Sequence, residues 1–152
     1  MKKLLKKDAI LAWHILPRTM KLGYGDGRIA EVGKTLSVRG MPELCFRGLH
    51  ASENLRDAER YGPEECQSKV CRVLVFGQVI TDGYWAGSPP DKIVGTSRKI
   101  LYSVSIRRVN GIAEKLRTPS PGGWTTRGWT THRIWNQAVE EELDRLYMPR
   151  RY

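Results

Sequence analysis

Residues 44–61 carry the side chains whose types and spacing best suit ligand binding. Their pattern predicts a strand, a turn and a helix, with Arg47 and His50 just before the helix start. Backbone N–H groups converge at such a start and attract anions, so these two side chains are candidates for holding a phosphate. Ser52 and Tyr61 are further polar candidates on the same segment. The alternative for His50 is a structural hydrogen bond at the corner between strand and helix.

His14 is a fifth candidate and lies in an apolar run, residues 10–16, that predicts a strand. A lone histidine in such a run is commonly a satisfied core or edge residue. The competing interpretation places His14 on the floor of a pocket, beside Trp13. Both interpretations stay open at this level.

A second group of candidates is basic and aromatic. The chain has a formal net charge of +10, and a field of that sign attracts phosphate-rich or acidic partners. Between residues 98 and 133, Glu114 is the single acid among many cations. Tryptophans in the same stretch can stack on bases, or they can pin a linker to the body of the protein. The candidates for nucleic-acid contact are Arg98, Lys99, Arg107, Arg108, Lys115, Arg117, Trp124, Arg127, Trp129 and Arg133.

Several other chemistries lack their sequence signatures. The three cysteines have neither metal-site nor disulfide-framework spacing, so we expect reduced thiols and no metal. Phosphate-binding glycine loops, the nucleophile elbow and zinc-protease motifs are all missing from the sequence. Three consecutive glutamates at 140–142 on a predicted helix are typical of a solvated face.

No apolar run approaches the roughly 20 residues of a membrane span, and none is followed by a secretion cleavage site. A cytoplasmic location is therefore expected.

Short strands and two helices are predicted to position these side chains. Asn54 or Ser52 caps the first helix, which ends at Gly62-Pro63, and the final helix runs from about residue 132 to 147. The strand patterns fall at residues 10–16, 33–38, 44–46, 70–79, 92–94 and 99–104, with a hairpin turn at 23–28. The predicted class is α+β, with a mixed or antiparallel, mostly β body, a short central helix and a C-terminal helix.

We expect one domain over residues 1–152. Its core is predicted at residues 8–110, followed by a Pro/Gly-rich linker at 118–123. A basic and aromatic segment with the final helix occupies residues 124–152.

Short sequence blocks between residues 10 and 105 occur in an order that resembles a family of small uncharacterised proteins found largely in phages and prophages. They include Ala12-Trp13-His14, Tyr24-Gly25-Asp26-Gly27-Arg28, Gly48-Leu49-His50-Ala51-Ser52 and Val70-Cys71-Arg72-Val73. The resemblance implies work inside a bacterial host and brings no established activity with it.

A second resemblance is to the ADP-ribosyltransferase fold. In that fold a strand carrying His precedes a Gly-Leu-x-x-Ser segment and a helix with Ala and Tyr. His14, the block Gly48-Leu49-His50-Ala51-Ser52, and Ala58 with Tyr61 look like this pattern. The resemblance implies NAD as the bound nucleotide and His14 as a ribose ligand. A fold of this kind can be present without the activity.

Two functional hypotheses follow. The leading one is a non-catalytic, phage-type accessory protein that needs no cofactor and binds a nucleic acid or nucleoprotein of the host, with counter-defence as one such role. An acidic protein partner is a variant of it. The alternative is an ADP-ribosyltransferase-like enzyme, or a nucleotide-binding domain, that handles NAD in a cleft near His14, Arg47, His50 and Ser52.

Overall fold

The computed structural model describes residues 9–23, 25–43, 47–63, 67–81, 91–117 and 135–151. Within these residues, five strands form one antiparallel sheet and three helices pack against it, which confirms the predicted α+β class. The elements are β1 (Ile10–Leu16), β2 (Thr35–Ser37), β3 (Leu49–Ala51), α1 (Leu55–Tyr61), β4 (Lys69–Thr81), β5 (Ile93–Ser105), α2 (Ile106–Leu116) and α3 (Gln137–Tyr147).

The sheet is built on the long hairpin partners β4 and β5, each of 13 residues. Its strand order is β1-β4-β5-β2, and β3 also pairs with β5. β4 is rich in valine, a residue that suits a pleated and half-buried surface. Trp13 and Ser52 exchange two backbone hydrogen bonds of 2.7 and 2.8 Å. Because Ser52 directly follows β3, this bridge brings β1 next to the β3 end of the sheet.

Residues directly opposite one another on paired strands share a face of the sheet. Trp13, Arg72 and Tyr102 are opposite one another across β1, β4 and β5. We call the side to which they point the helix face, because all three helices contribute buried side chains to its core. His14 is opposite Cys71 and therefore points to the other side, which we call the cleft face.

The helix face holds the larger apolar core. Trp13 and Trp135 are its largest fully buried side chains, and Leu143 of α3 is completely buried among them. α2 presents Ile106, Val109 and Ile112 to the same core, spaced i, i+3 and i+6 as an amphipathic helix requires. The final helix therefore packs on the sheet as an integral part of the core.

A polar network ties α3 to the strands beneath it. Arg72 of β4 donates two hydrogen bonds to the Asp144 carboxylate, at 3.1 and 3.0 Å. The Tyr102 hydroxyl donates to the same carboxylate at 2.7 Å. The indole N–H of Trp13 donates to Glu140 at 2.7 Å, and the Arg72 guanidinium lies 4.1 Å above the Trp13 ring centroid. One of the glutamates predicted to form a solvated face thus accepts a hydrogen bond from the sheet.

Three elements differ from the sequence predictions. The two strands expected on either side of Gly95 are one continuous strand, β5, in which Gly95 is paired with Val79 directly after a register shift in β4. α2 was not predicted, since its apolar positions alternate with many charged ones. α3 begins at Gln137, with the Asn136 side chain accepting the Val139 N–H at 3.2 Å.

The first helix is confirmed, but its expected capping box is not. Asn54 is the N-cap residue and makes no side-chain bond to the helix backbone. Its amide donates instead to the Asp57 carboxylate at 3.3 Å. The predicted strand at 44–46, the linker at 118–123 and the tryptophans beyond it lie outside the described residues.

Candidate functional site

A cleft of about 660 Å³ opens on the cleft face of the sheet. Pockets that bind small molecules commonly fall between about 300 and 1,000 Å³. Four of the five predicted ligand-binding residues line this cleft although they come from three separate parts of the chain: His14, Arg47, His50 and Tyr61. The fold therefore places His14 of β1 beside the candidates of the 44–61 segment in one cleft.

His14 lies in β1, and its side chain lines the cleft from the sheet. Burial is the main cause that lowers the pKa of its imidazole well below the ordinary value, and Arg98 and His50 lower it further. The ring is therefore neutral near pH 7. A neutral imidazole offers one donor and one acceptor nitrogen to a ligand. His14 is thus a polar group in a pocket wall, one of the two interpretations that the sequence left open.

His50 lies in β3 and is 8 % exposed. Burial lowers the pKa of His50 to about 4, and the positive charges of Lys92 and Arg98 add to this effect. His50 is therefore also neutral at physiological pH. Two neutral imidazoles next to each other supply hydrogen-bonding capacity to the cleft without adding positive charge.

Arg98, which the sequence assigned to a basic surface, lies instead in this cleft. Its position on β5 is opposite Val75, on the cleft face, and only 3 % of the residue is exposed. Burial lowers the pKa of Arg98 to about 10, so the guanidinium is still charged at pH 7. The only sequence signal that could have separated Arg98 from its half-buried neighbour Lys99 is alternation along the strand, which places the two side chains on opposite faces of the sheet.

The outer part of the cleft carries two exposed cations and one acid. Arg47 and Lys21 both line it and lie outside the named strands. Asp26 is engaged by Arg28, whose Nε and Nη2 donate to its two carboxylate oxygens at 2.7 and 2.9 Å. This hydrogen bonding holds the pKa of Asp26 below its usual value. The sequence reasoning nominated neither Lys21 nor Asp26 for the site, because Asp26 was recognisable only as part of the turn at 23–28 and Lys21 belongs to no motif.

Ser52 and Tyr61 line a second, small cavity of about 20 Å³ that adjoins the cleft. His14 and His50 line both spaces, so they form the wall between them. The Tyr61 hydroxyl donates to Asp91 at 2.8 Å, and the Lys92 ammonium lies 4.0 Å from the centroid of the Tyr61 ring. A cavity of this size holds about one water molecule.

Apart from Arg98, the basic candidates that the structure describes do not line the cleft. Arg107, Arg108 and Lys115 are exposed on α2, and Arg117 follows it. Arg108 donates to the Tyr147 hydroxyl at 3.1 Å, and Arg117 is 3.7 Å from Glu114. The remaining candidates Trp124, Arg127, Trp129 and Arg133 lie outside the described residues.

Within the described part of the chain, no three His, Cys, Asp or Glu side chains come close enough to hold a metal ion together. Cys71 is a buried free thiol, and burial raises its pKa to about 12, so it is unreactive as a thiolate at neutral pH. The helices of the described residues are all too short or too polar to cross a membrane.

The fold and the site together define a small α+β protein with an electropositive cleft on one face of an antiparallel sheet. The chain belongs to the family described as a domain of unknown function, DUF7666, whose model matches residues 10–110. The cleft-lining residues all fall within that match, whereas α3 follows it. No curated protein and no solved structure matches the chain.

Proposed function

We propose that the protein binds a phosphate-bearing nucleotide, of the NAD and ADP-ribose type, in the cleft. The observation that carries this proposal is the convergence of Arg47, Lys21 and Arg98 with two neutral histidines around about 660 Å³ of space. Cations match the phosphates of such a ligand, and neutral imidazoles match its hydroxyl and amide groups.

The charge balance of the cleft favours an anion. Three cationic side chains line it, and the lining acid, Asp26, already pairs with Arg28, which does not line the cleft. A concave site with one sign of charge focuses the field and raises the local concentration of ligands of the opposite sign. A neutral or cationic ligand would leave these charges uncompensated.

The neutral state of the histidines supports the nucleotide over a simple inorganic anion. A charged imidazolium would act as one more cation, but His14 and His50 are held neutral by burial and by the nearby positive charges. In this state His14 accepts a hydrogen bond from a ribose hydroxyl, the role that the ADP-ribosyltransferase resemblance implies. The proposal concerns binding of the nucleotide, and transfer of its ADP-ribose group to an acceptor would be an additional activity of the same cleft.

Isothermal titration calorimetry with ADP-ribose and NAD tests the proposal. Arg47 is exposed and lines the cleft, so Arg47→Ala is expected to weaken binding about tenfold, as the loss of one charge-assisted hydrogen bond does. The matched control is Arg39→Ala, the same change at an exposed arginine that does not line the cleft. Absence of binding to the unsubstituted protein, or equal loss in both variants, would contradict the proposal.

A second candidate function is nucleic-acid binding at α2, and one observation favours it. The exposed side of α2 carries Arg107, Arg108 and Lys115, while its one acid, Glu114, is within 4 Å of Arg117. We propose that this surface contacts phosphates of a nucleic acid or nucleoprotein. In the phage or prophage setting that the first resemblance implies, such binding serves an accessory, counter-defence role in the bacterial cytoplasm.

Salt-titrated binding to DNA and RNA tests this second candidate. Replacing Arg107 and Lys115 by alanine should reduce the slope of log affinity against log salt by about 2, since each phosphate contact releases about one counterion. The matched control replaces Arg39 and Arg56, two exposed arginines elsewhere, and changes the net charge equally. A slope that falls equally in both double variants would indicate general charge effects and no defined surface.

A further inference from the structure

Arg98 differs from the other cleft cations because it is buried, although its hydrogen-bonding capacity is only partly used among the described residues. Its Nη1 donates to the backbone carbonyl of His50 at 2.6 Å. Its Nη2 is buried and has no hydrogen-bond partner among the described residues. The side chain is thus fixed at one nitrogen and unsatisfied at the other.

An unpaired buried donor on a charged group is costly. Burying a cation requires compensation by an opposite charge or by hydrogen bonds, and Arg98 has neither in full. Within the described residues, no carboxylate forms an ion pair with it, since Asp26 pairs with Arg28. A bound ion or ligand that completes its interactions is one explanation for such a group, and Arg98, unlike Arg72, lines a cleft that could hold one.

The geometry of the guanidinium specifies the ligand group. Guanidinium nitrogens form a planar fork that matches the oxygens of phosphate, and hydrogen bonds to charged oxygens are about twice as strong as neutral ones. The bond to the His50 carbonyl holds this fork in place before any ligand arrives. Arg47 and Lys21, by contrast, are exposed.

We infer that Arg98 is the anchor of an anion subsite at the floor of the cleft, where Nη2 donates to a phosphate oxygen of the bound nucleotide. The inference rests on the proposed nucleotide function and adds to it the residue that selects for phosphate. Arg47 and Lys21 then steer the ligand and contact the parts of it nearer solvent. Duplex or single-stranded nucleic acid is not the expected ligand of this subsite, because Arg98 is only 3 % exposed.

Arg98→Lys is the informative substitution. Lysine keeps the positive charge but has one nitrogen, which cannot serve the His50 carbonyl and a phosphate with the same fixed geometry. We expect calorimetry to show affinity for ADP-ribose and for pyrophosphate reduced about tenfold or more. The unsubstituted protein should bind adenosine, which has no phosphate, far more weakly than ADP-ribose.

Arg72→Lys is the matched control. Arg72 is also buried, also has one nitrogen without a partner (Nη1), and lies on the helix face away from the cleft. The same substitution there should lower the melting temperature while leaving the affinity for ADP-ribose and pyrophosphate within about twofold. This separates loss of an anion contact from general loss of stability.

The outcomes distinguish this inference from the proposed function. If the unsubstituted protein binds ADP-ribose and Arg98→Lys binds it equally well, the Arg98 subsite is wrong and the nucleotide cleft stands. If adenosine binds as tightly as ADP-ribose, the cleft does not recognise phosphate and both proposals fail. If ADP-ribose does not bind the unsubstituted protein, both proposals fail.

A crystal structure of the unsubstituted protein with pyrophosphate covers the case in which Arg98→Lys does not fold. A phosphate oxygen about 3 Å from Arg98 Nη2 supports the subsite. Pyrophosphate bound only at Arg47 and Lys21 overturns it.

Discussion

Arg72 and Arg98 are two buried arginines in the same sheet, one on each face. Arg72 on the helix face makes a two-point contact with Asp144 and lies over the Trp13 ring. Arg98 on the cleft face donates, within the part of the chain that the structure describes, to a single backbone carbonyl and lines an open space of about 660 Å³. The first charge is compensated within the protein, which is what a structural role requires. The second is not, which is what a binding role requires.

The same contrast extends to the rest of each face. The helix face is filled by Trp13, Trp135, Leu143 and their neighbours, and its polar groups mostly bond to one another. The cleft face has a smaller apolar core, and two neutral histidines line its open cleft. Substitutions on the helix face should therefore change stability, and substitutions in the cleft should change binding.

Asp144→Ala is the substitution with the largest expected effect. It leaves the Arg72 charge buried without its carboxylate and removes the acceptor of the Tyr102 hydroxyl. Breaking one side of a buried pair costs about 3–5 kcal/mol, and since the Asp144 carboxylate is 27 % exposed we expect the lower end, about 3 kcal/mol of unfolding free energy. Urea denaturation measures it.

Glu142→Ala is the control for Asp144→Ala, because Glu142 pairs with Arg145 on the solvent side of the same helix. It should leave the urea midpoint essentially unchanged. Equal losses for Asp144→Ala and Glu142→Ala would show that Arg72 is not the structural arginine of the comparison.

Gly48→Ala is expected to disturb the cleft face at the start of β3. Gly48 has φ +118°, and an added Cβ would lie 2.4 Å from a Val94 methyl carbon. Backbone strain and the steric clash together should cost about 2 kcal/mol or more and weaken nucleotide binding, because β3 carries His50. Gly33→Ala has a similar positive φ, +84°, with open space around it, so it isolates the strain alone. A Gly33→Ala loss as large as that of Gly48→Ala would show that packing against Val94 does not matter.

The pH dependence of the unfolding free energy should reflect the lowered pKa values of the two histidines in the cleft. The unfolded chain protonates His50 near pH 6.5, whereas the folded protein does so only near pH 4. Between these values the unfolded state binds more protons, so the unfolding free energy falls as the pH falls from 6.5 towards 4. His14, whose pKa is also lowered, acts in the same direction. His50→Gln should flatten the profile measured by urea titration at successive pH values.

Glu140 on the helix face should act in the opposite direction. Burial raises the pKa of its carboxyl, despite the Trp13 N–H that donates to it. The folded protein therefore binds this proton at a higher pH than the unfolded chain, and this partly offsets the loss caused by the histidines. Glu140→Gln should make the fall in stability on acidification steeper. A flatter profile would contradict the assignment of opposite signs to the two faces.

Gly111→Ala has the smallest expected effect and a favourable sign. Gly111 is exposed within α2, and an added Cβ meets nothing within 4 Å. The substitution should stabilise the protein by about 0.5–1 kcal/mol, because glycine loses more backbone entropy on forming a helix than alanine does. Thermal unfolding measures the gain, and affinity for ADP-ribose should not change. A changed affinity would show that the helix side of the sheet is coupled to the cleft.

The sequence pattern predicted an element correctly where neighbouring residues alone determine its secondary structure. The apolar run of β1, the β-branched run of β4 and the turn residues Gly62-Pro63 after α1 each predict their element correctly. The pattern failed for α2, whose apolar stripe is narrow and surrounded by basic residues. It also split β5 at Gly95, because a glycine within a strand is indistinguishable in sequence from a glycine between two strands.

By itself, the sequence determined the α+β class and nominated His14, Arg47, His50 and Tyr61 from their residue types and positions. Only the tertiary structure decided that these four line one cleft, because their proximity depends on the pairing of β1 with β4 and of β3 with β5. Only the structure moved Arg98 from an expected basic surface to the buried floor of that cleft. Charge is a property of the sequence, but whether a charge is exposed, paired or left for a ligand depends on which face of the sheet it occupies and what packs there.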